Sequence, residues 1–349
     1  MPKIFEHHHP FTLESGHILP GYHIGYTTYG RLNEKGDNTV WIFHALTANS
    51  DAAEWWPGLV GEGKLFDPSA WFIICVNMPG SCYGSIGPLE INPKTDQPYY
   101  HSFPFFTTRD MIRAYHPLKE LMGIRKIHIG IGGSMGGQQL LEWAITEPDL
   151  FSYIFPIATN ALHSPWGRAF NASQRLCIEA DPGWKENKES AGIEGMKVAR
   201  SIALISYRSY ETYQSGQSET DDHKLENFNS ESYQRYQGEK LARRFNAFSY
   251  YALSKSMDAH NVGRGRNGVI NALGSIKAKT LAIGITTDLL FPAHEQQFIA
   301  ENIPGAAFKP INSPYGHDGF LLEFEQISHH ILNFIERDSF NAKKRETAH

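Results

Sequence analysis

Six stretches of the chain are apolar almost throughout instead of alternating between apolar and polar residues. A strand buried on both faces of a parallel sheet has this pattern, whereas a half-exposed strand alternates. Helical spacing and turns separate the stretches, so their order predicts a mostly parallel α/β sheet. The six predicted strands, of which the last is weaker, are VWIFHAL at 40–46, WFIICVNM at 71–78, KIHIGIGG at 126–133, LFSYIFPIAT at 150–159, TLAIGITTD at 280–288 and AAFKPINS at 306–313.

The segment between the fourth and fifth predicted strands has a different character. The segment is polar, and its apolar residues recur at helical spacing. Its clearest predicted helices span 199–213 and 239–258. Between them, the stretch 214–224 has almost no apolar residues and is predicted to be a surface loop. We therefore expect this segment to pack as helices and not to extend the sheet.

This change of pattern divides the chain into a core and an insertion. We predict an α/β core formed by residues 1–160 and 276–349, interrupted by an inserted helical lid at 161–275. A long insertion in one loop costs little, because closure entropy grows only logarithmically with loop length. A last helix is predicted at 323–336, followed by a frayed tail at 338–349.

The stretch IGIGGSMGGQQLLEWA at 129–144 places a serine between two glycine pairs, after a predicted strand and before a helix. A dinucleotide fingerprint starting at Gly130 requires glycine at position 135, which is Met135, and a phosphate loop requires a lysine that this stretch lacks. The pattern that fits is G-x-S-x-G, in which a nucleophile lies at a sharp turn with small neighbours. We predict Ser134 as the nucleophile and the N–H of Met135 as an oxyanion donor.

A serine nucleophile needs a base and an acid, which in this type of fold follow in the order Asp, then His. Asp288 ends the fifth predicted strand, and His317 lies in a glycine-flanked loop after the sixth. His329 and His330 lie within a predicted helix, and His294 lies at a predicted helix start. Asp288 and His317 are therefore the predicted acid and base.

The oxyanion hole needs a second backbone donor from the loop after an earlier strand. The first predicted strand places Leu46 in such a loop, and its N–H is the predicted donor. His44 lies nearby at the strand end, where a hydrogen bond that shapes the loop is expected instead of a catalytic role.

Composition excludes several other classes of protein. The chain has 349 residues with 41% hydrophobic and 20% charged residues, and its net charge of −5 gives no general attraction to nucleic acid or membranes. The arginines of GRGRNG at 263–268 are too few for a nucleic-acid patch, so a solvated turn or pocket wall is expected. The three cysteines and the absence of an apolar leader or of a run near ~18 residues predict a cytoplasmic protein. The histidines at 7–9 lack a partner at helical spacing, so no metal is expected.

Further motifs run in order from about residue 10 to about residue 325. They are LESGHILPGYHIGYTTYG, HALT, GPLEINPKTDQPY, FPFFTTRDMIRA, GGSMGGQQLLEWA, QRLCIEADPGW, SYQRYQGEKLARRFNAFSY, SMDAHNVGRGR, TTDLLFP and YGHDGFLLE. Several of these motifs are specific to one family, and with them the chain resembles the homoserine O-acetyltransferase family of α/β-hydrolase-fold enzymes. The resemblance implies this fold with an inserted helical lid, and it implies a homodimer formed through the inserted helices. The family's catalytic residues fall on Ser134, Asp288 and His317.

The resemblance also implies two residues that bind an amino-acid substrate. Arg200 would grip the α-carboxylate as a bidentate fork, and Asp318 would take the α-ammonium. Arg208 is a competing candidate, ranked below Arg200. Two departures are visible: ANSDAAEWW follows HALT in place of a Gly-Asp/Asn-Ala-His segment, and Gln138 stands where methionine is more common.

The implied reaction moves an acetyl group from acetyl-CoA, a co-substrate, to the hydroxyl of L-homoserine through an acyl-serine, without a cofactor. The product, O-acetyl-L-homoserine, would serve methionine synthesis. The shared motifs leave succinyl-CoA as donor and serine as acceptor open. A plain esterase or thioesterase would have the same triad but no use for Arg200 and Asp318, and a non-catalytic binding protein of this fold usually lacks a triad member.

Overall fold

A central sheet of eight strands runs through the molecule. The structure, a computed structural model, describes residues 1–346, with the side chains of the last helix described as far as residue 338 and at residue 340. The strands are β1 Lys3–His7, β2 Phe11–Thr12, β3 Ile18–Leu19, β4 Tyr22–Tyr29, β5 Thr39–Phe43, β6 Phe72–Val76, β7 Ile91–Asn92, β8 Gln97–Pro98, β9 Ile127–Gly133, β10 Phe151–Ile157, β11 Lys279–Ile285 and β12 Ala307–Ile311. The large sheet has the order β1-β4-β6-β5-β9-β10-β11-β12, and β2–β3 and β7–β8 form separate pairs.

Helices cover the sheet and form the segment between β10 and β11. They are α1 Ala52–Trp55, α2 Thr108–Leu121, α3 Met135–Thr146, α4 Pro165–Glu179, α5 Ile193–Tyr207, α6 Tyr210–Gln217, α7 Asn229–Ala242, α8 Ala247–Asp258, α9 Val269–Gly274, α10 Ala293–Asn302, α11 Gly319–Leu322 and α12 Phe324–Glu346. Within residues 1–346, none of them has the length and apolar character needed to cross a bilayer. Helices α4 to α9 lie between β10 and β11, and the division into core and lid subdomains stays a prediction.

The six predicted strands are present as β5, β6 and β9 to β12, and neighbouring strands among them pair in parallel. Both β5 and β6 are buried along their whole length. Alternate residues of β5 point into two cores, Trp41 into one and Val40 and Ile42 into the other. Each such buried side chain stabilises the fold by roughly 1.5–3 kcal/mol. Because the strands are parallel, their carboxyl ends meet at one edge of the sheet, where the functional loops lie.

The apolar pattern does not predict strands β1 and β4 at the edge of the sheet. The pairings of β1 with β4 and of β4 with β6 are both antiparallel. Every residue of β1 is exposed or half-buried, so no continuous apolar run marks it. Antiparallel strands commonly face water on one side, which is why a search for fully buried strands misses them.

Two helices that the spacing predicts as continuous are each broken in two. The predicted helix 199–213 stops at Tyr207, and Ser209 begins α6 by accepting a hydrogen bond from the N–H of Thr212. The predicted helix 239–258 is interrupted in the same way before α8, where Asn246 accepts from the N–H of Ser249. Ser and Asn are strong helix N-caps, so the capping side chains override the apolar spacing.

The remaining expectations for the polar segments are partly wrong. Helix α6 covers the start of the loop predicted at 214–224, and the chain is irregular only from Ser218. Helix α12 continues to Glu346, so the prediction of a frayed tail is wrong up to that residue; residues 347–349 lie outside the described residues. The side chain of Asp338 anchors the helix to the sheet, since it accepts a hydrogen bond from Tyr153 and pairs with Lys279 at 3.1 Å.

Candidate active site

The predicted nucleophile lies at the turn between β9 and α3. Ser134 has a φ of 56° and a ψ of −127°, a conformation uncommon for residues with a side chain. Its N–H donates to the carbonyl oxygen of Ile157 at 3.0 Å, and its own carbonyl oxygen accepts from Thr159 Oγ1 at 2.7 Å. The end of β10 therefore holds a strained turn of the kind that presents a nucleophile.

The glycines around Ser134 are required by close approach of the backbone. A Cβ on Gly132 would lie 2.6 Å from the backbone of Gly136, and one on Gly136 would lie 2.1 Å from the carbonyl oxygen of Phe43. No larger residue fits at either position unless α3 moves away from β9 or β5. The two glycine pairs thus let the helix begin directly against the sheet.

Asp288 and His317 form a buried pair after two neighbouring strands, β11 and β12. Oδ2 of Asp288 accepts a hydrogen bond from Nδ1 of His317 at 2.6 Å. Oδ1 accepts from the N–H groups of Leu290 at 2.8 Å and Phe291 at 2.9 Å, which fixes the carboxylate. The arrangement leaves Nε2 of His317 as the ring nitrogen available for proton transfer.

Opposing influences set the proton affinity of His317. Burial by itself lowers the pKa of this imidazole. The charge of Asp288 and its hydrogen bond, with a smaller effect from the charge of Asp318, outweigh burial and raise the pKa above its ordinary value. His317 therefore has the character of a general base that is stabilised when it becomes charged.

These residues open onto a cavity of about 430 Å³. Asp288 does not line this cavity but is hydrogen-bonded to His317, which does. Met135 is buried and is the first residue of α3, where the N–H groups have no partner within the helix. Within residues 1–346, the N–H of Leu46 donates to no hydrogen-bond acceptor. The predicted site residues that line the cavity are Leu46, Ser134, Arg200, His317 and Asp318, so the structure brings the predicted set together.

Arg208 also lines the cavity and is the arginine in contact with Asp318. Its Nε lies 2.9 Å from Oδ2 of Asp318, at an angle unsuited to a hydrogen bond. Arg200 lies over the ring of Tyr207, 5.3 Å from its centre, and among the described residues it has no carboxylate within ion-pair distance. Burial raises the pKa of Asp318, and the charges of Arg208 and Arg200 oppose that effect. The cavity lining thus includes Arg208, which pairs with Asp318, and Arg200, which has no carboxylate partner among the described residues.

His44 and Gln138, two residues noted in the sequence, form hydrogen bonds within the protein. His44 donates from Nδ1 to the carbonyl oxygen of Ala45 at 2.8 Å and accepts at Nε2 from the N–H of Met78 at 3.1 Å. Burial lowers its pKa to about 4, so it is neutral and shapes the loop, as expected. Gln138 is buried, donates from Nε2 to Oδ1 of Asn160 at 3.0 Å and does not line the cavity.

Sequence reasoning missed Trp56 and Phe320 beside the base. The indole N–H of Trp56, within the ANSDAAEWW segment, donates to the carbonyl oxygen of Phe320 at 2.9 Å. The ring of Phe320 lies 5.3 Å from that of His317, and Phe291 stacks on the imidazole at 5.2 Å. The two adjacent tryptophans after HALT were the only hint of this contact in the sequence. They do not reveal that Trp56 bonds to Phe320, which lies 264 residues further along the chain.

No cysteine of the described part of the chain lines the cavity at Ser134. Cys75, Cys82 and Cys177 are unpaired thiols, and none of them lines the cavity. Burial raises the pKa of Cys82 to about 11, so its thiolate form is disfavoured. The described residues also contain no group of three or more His, Cys, Asp or Glu side chains positioned to hold a metal ion.

The fold and the site define the class of protein. A strained serine after a parallel strand, with an Asp–His pair further along the chain, is the arrangement of α/β-hydrolase-fold enzymes. The family described as alpha/beta hydrolase fold matches residues 38–324. The crystal structure of esterase E22 is similar in fold, with a TM-score of 0.87 at 24% identity over 96% of this chain and 99% of that one. The chain is therefore an α/β-hydrolase-fold protein, as predicted.

Sequence similarity narrows the class to one family. A homoserine O-acetyltransferase of Cyclobacterium marinum is 46% identical over 332 residues, which are 95% of this chain and 94% of the relative. The crystal structure of homoserine O-acetyltransferase from Bacillus anthracis has a TM-score of 0.89 at 24% identity, covering 96% of this chain and 97% of that one. The chain belongs to the homoserine O-acetyltransferase family, which confirms the resemblance noted from its motifs.

Proposed function

We propose that this protein transfers an acetyl group from acetyl-CoA to the side-chain hydroxyl of L-homoserine, forming O-acetyl-L-homoserine for methionine biosynthesis. The observation that carries the proposal is one cavity that Ser134 and His317 line together with Arg200 and Asp318. A plain esterase requires only the first two of these residues. An amino-acid acceptor requires a cation for its carboxylate and an anion for its ammonium as well.

In the first half-reaction, Ser134 attacks the thioester carbonyl of acetyl-CoA while His317 takes the hydroxyl proton. The N–H groups of Leu46 and Met135 stabilise the oxyanion, and loss of one such donor typically costs about 2.7–4 kcal/mol. His317 returns the proton to the sulfur of CoA, which leaves as the thiol. The enzyme then carries an acetyl ester on Ser134.

In the second half-reaction, L-homoserine occupies the space that CoA leaves. Its carboxylate binds Arg200, and its ammonium binds Asp318. His317 removes the proton of the substrate hydroxyl, which attacks the acetyl ester and regenerates the Ser134 hydroxyl. Holding the acceptor in attack geometry favours transfer over hydrolysis, because a fixed neighbour competes with water at a very high effective concentration.

Charge at the cavity rim supports a CoA thioester as the donor. Lys240 and Arg244 are exposed, line the cavity, and in the described chain have no carboxylate within ion-pair distance. Arg244 donates to the carbonyl oxygen of Thr47, next to the proposed oxyanion donor. Exposed cations without a carboxylate partner suit a polyanionic donor whose phosphates stay outside a cavity of about 430 Å³.

The first experiment measures CoA release with a thiol reagent. Acetyl-CoA and succinyl-CoA are each combined with L-homoserine, with L-serine and without acceptor, and Ser134→Ala serves as the control. Fast release with acetyl-CoA and homoserine alone supports the proposal. CoA release at the same rate with and without an acceptor would indicate a hydrolase. Faster release with succinyl-CoA than with acetyl-CoA, or with L-serine than with L-homoserine, would contradict the proposed donor or acceptor.

The acceptor assignment has a separate test in Arg200→Ala. We expect KM for L-homoserine to rise at least about tenfold, because a charge-assisted bond is worth roughly 1.5–3 kcal/mol. Acetylation of Ser134 by p-nitrophenyl acetate, which needs no amino acid, is expected to be unchanged. Arg235→Ala, which removes an exposed arginine of α7, is the matched control. An unchanged KM for L-homoserine in Arg200→Ala would show that Arg200 does not bind the acceptor.

A further inference from the structure

A corner of the inserted helices touches the loop that carries His317. The corner is the break between α5 and α6, residues 207–212, and the histidine loop is residues 313–318. These two segments are about a hundred residues apart in the chain, yet side chains and backbone of both meet in several places. The contacts involve the backbone that places His317 as well as the groups lining the cavity.

One backbone oxygen of the histidine loop is held by two hydroxyl groups of the corner. Thr212 Oγ1 donates to the carbonyl oxygen of Pro314 at 2.6 Å, and Ser209 Oγ donates to the same oxygen. A carbonyl oxygen has two lone pairs, so both acceptor positions are filled from one side. Ser209 has a second function, because its Oγ also accepts the N–H of Thr212 and caps α6.

The two backbones also approach each other directly. Gly316 has a φ of +63°, and a Cβ at this position would lie 2.9 Å from the backbone of both Arg208 and Ser209. The ring of Tyr207 lies 5.7 Å from the ring of His317. The corner therefore limits the position of the loop at Pro314, at Gly316 and at the imidazole itself.

The core holds the same loop from the opposite side. Thr287, which directly precedes Asp288, donates from Oγ1 to the carbonyl oxygen of Ser313 at 2.6 Å and accepts the N–H of Gly316 at 3.1 Å. Thr287 thus ties the loop to the strand end that carries the acid. The hydroxyls of the corner tie it to the helices that carry Arg200.

We infer that the α5–α6 corner is a positioning element for the catalytic base, acting through the hydroxyls of Thr212 and Ser209 on Pro314. The inference rests on the proposed role of His317. Because Arg200 lies on α5 and the corner ends that helix, the acceptor grip and the base are held by one element. The inserted helices then contribute to both half-reactions, including the one that uses no acceptor.

The test is the rate at which p-nitrophenyl acetate acetylates Ser134, measured in the pre-steady state. In Thr212→Val, which removes the hydroxyl and leaves the backbone cap intact, we expect the maximal rate to fall at least about tenfold, since small misplacements of catalytic groups have large effects. The double variant Ser209→Ala/Thr212→Val is expected to fall further. The ester concentration at half-maximal rate should stay unchanged, because neither hydroxyl lines the cavity.

The pH dependence distinguishes positioning from general loss of structure. A loosened histidine loop weakens the bond from His317 to Asp288, so the acid limb of the acetylation rate is expected to move to lower pH in both variants. Thr212→Ser, which restores a hydroxyl, should recover the native rate and pH profile. Ser215→Ala removes a hydroxyl that bonds only within α6 and should behave as native.

The possible failures can be told apart. Native acetylation rates and pH profiles in the double variant would overturn the inference. So would a loss that Thr212→Ser fails to restore, since that would indicate a steric role for the residue. Acetylation that persists in Ser134→Ala would instead contradict the proposed triad. Because the ester assay uses neither CoA nor homoserine, a different donor or acceptor leaves the inference intact.

Discussion

At the scale of single residues, the chemistry depends on neighbours that change the proton affinities of buried groups. His317 must be neutral to take a proton, and Asp288 raises its pKa although burial, the larger single influence, lowers it. Glu295, on α10, is a half-buried group whose pKa is raised. Each shift has a consequence that can be measured as pH is varied.

Replacement of Asp288 by asparagine should change both the rate and its pH dependence. In the native protein we expect kcat/KM for the acetyl ester to fall as pH drops through a pKa above 6.5, since protonated His317 cannot act as a base. Asp288→Asn removes the cause that raises this pKa, so the acid limb should move below that of the native protein. The maximal rate should fall about 10⁴-fold.

The exposed Asp149→Asn is the control for this experiment. An acid limb that stays in place in Asp288→Asn would mean that another group governs the pH dependence.

Glu295 should make the stability of the protein depend on pH. Burial, and then the charge of Asp288, raise its pKa from 4.5 to about 7, although a hydrogen bond from Asn160 at 3.1 Å opposes the shift. A carboxyl group with a raised folded pKa favours folding when it is protonated. Its contribution is full below pH 4.5 and is lost as pH rises towards 7, on the order of 3 kcal/mol in total.

We expect Glu295→Gln to flatten the decrease in the free energy of unfolding between pH 4.5 and 7. Urea titrations at several pH values measure this free energy directly. Glu301→Gln, on the exposed side of the same helix, is the matched control. Parallel curves for the native protein and Glu295→Gln would contradict the assigned linkage.

At the scale of elements, charged side chains connect the last part of the insertion to the core. The side chain of Glu142 on α3 is 2% exposed and pairs with Arg109 of α2 at 2.7 Å and with Arg266. Arg264 pairs with Glu14 at 2.8 Å. The arginines of GRGRNG lie in a partly exposed turn, as expected, and their side chains form ion pairs between elements. Spacing could not reveal this, because the partners lie on other elements.

Removal of the shared carboxylate should destabilise the protein without touching the active site. In Glu142→Gln, Arg266 loses its carboxylate partner and Arg109 retains only Glu14, and breaking such a buried pair typically costs about 3–5 kcal/mol. Equilibrium unfolding in urea, followed by circular dichroism, measures the loss. Glu62→Gln, on the surface, should leave stability within about 0.5 kcal/mol of native. A similarly small change in Glu142→Gln would show that the cluster contributes little.

At the scale of the whole molecule, apolar side chains remain exposed on the inserted helices. Val198 and Ile205 are 51% and 56% exposed and lie seven residues apart on one face of α5, and the neighbouring helix α4 exposes Leu176 to 62%. Exposed apolar patches of this kind mark contact surfaces. They support the homodimer that the family resemblance implies, and we propose that two copies associate through the inserted helices.

Light scattering coupled to gel filtration tests this proposal. We expect the native protein to have about twice the chain mass of 39.4 kDa, and Ile205→Glu to shift it towards the single-chain mass. Leu121→Glu places the same charge on an exposed leucine of α2 and should leave the native mass unchanged. A native protein that elutes as a single chain would exclude the homodimer under those conditions.

Much of the fold and site could be predicted because the signals were local. Fully buried parallel strands are continuous apolar runs, so β5, β6 and β9 to β12 were found close to their observed bounds. Ser134 was predicted as the nucleophile from the glycines that close packing demands, and Asp288 and His317 as acid and base from their places after strands; these three roles stay predictions. Edge strands β1 and β4 and the helix breaks were missed, because half-exposed strands and capping residues leave weaker patterns.

By itself, the sequence determined which strands are buried, where the strained turn lies and which residue types follow the strands. These properties depend on burial and backbone geometry within a few residues. Only the tertiary structure decided that Arg208 contacts Asp318, that Trp56 supports Phe320 and that Thr212 holds Pro314. Each of these contacts joins residues about a hundred or more positions apart, and the free energy of such a contact depends on packing that no local pattern encodes.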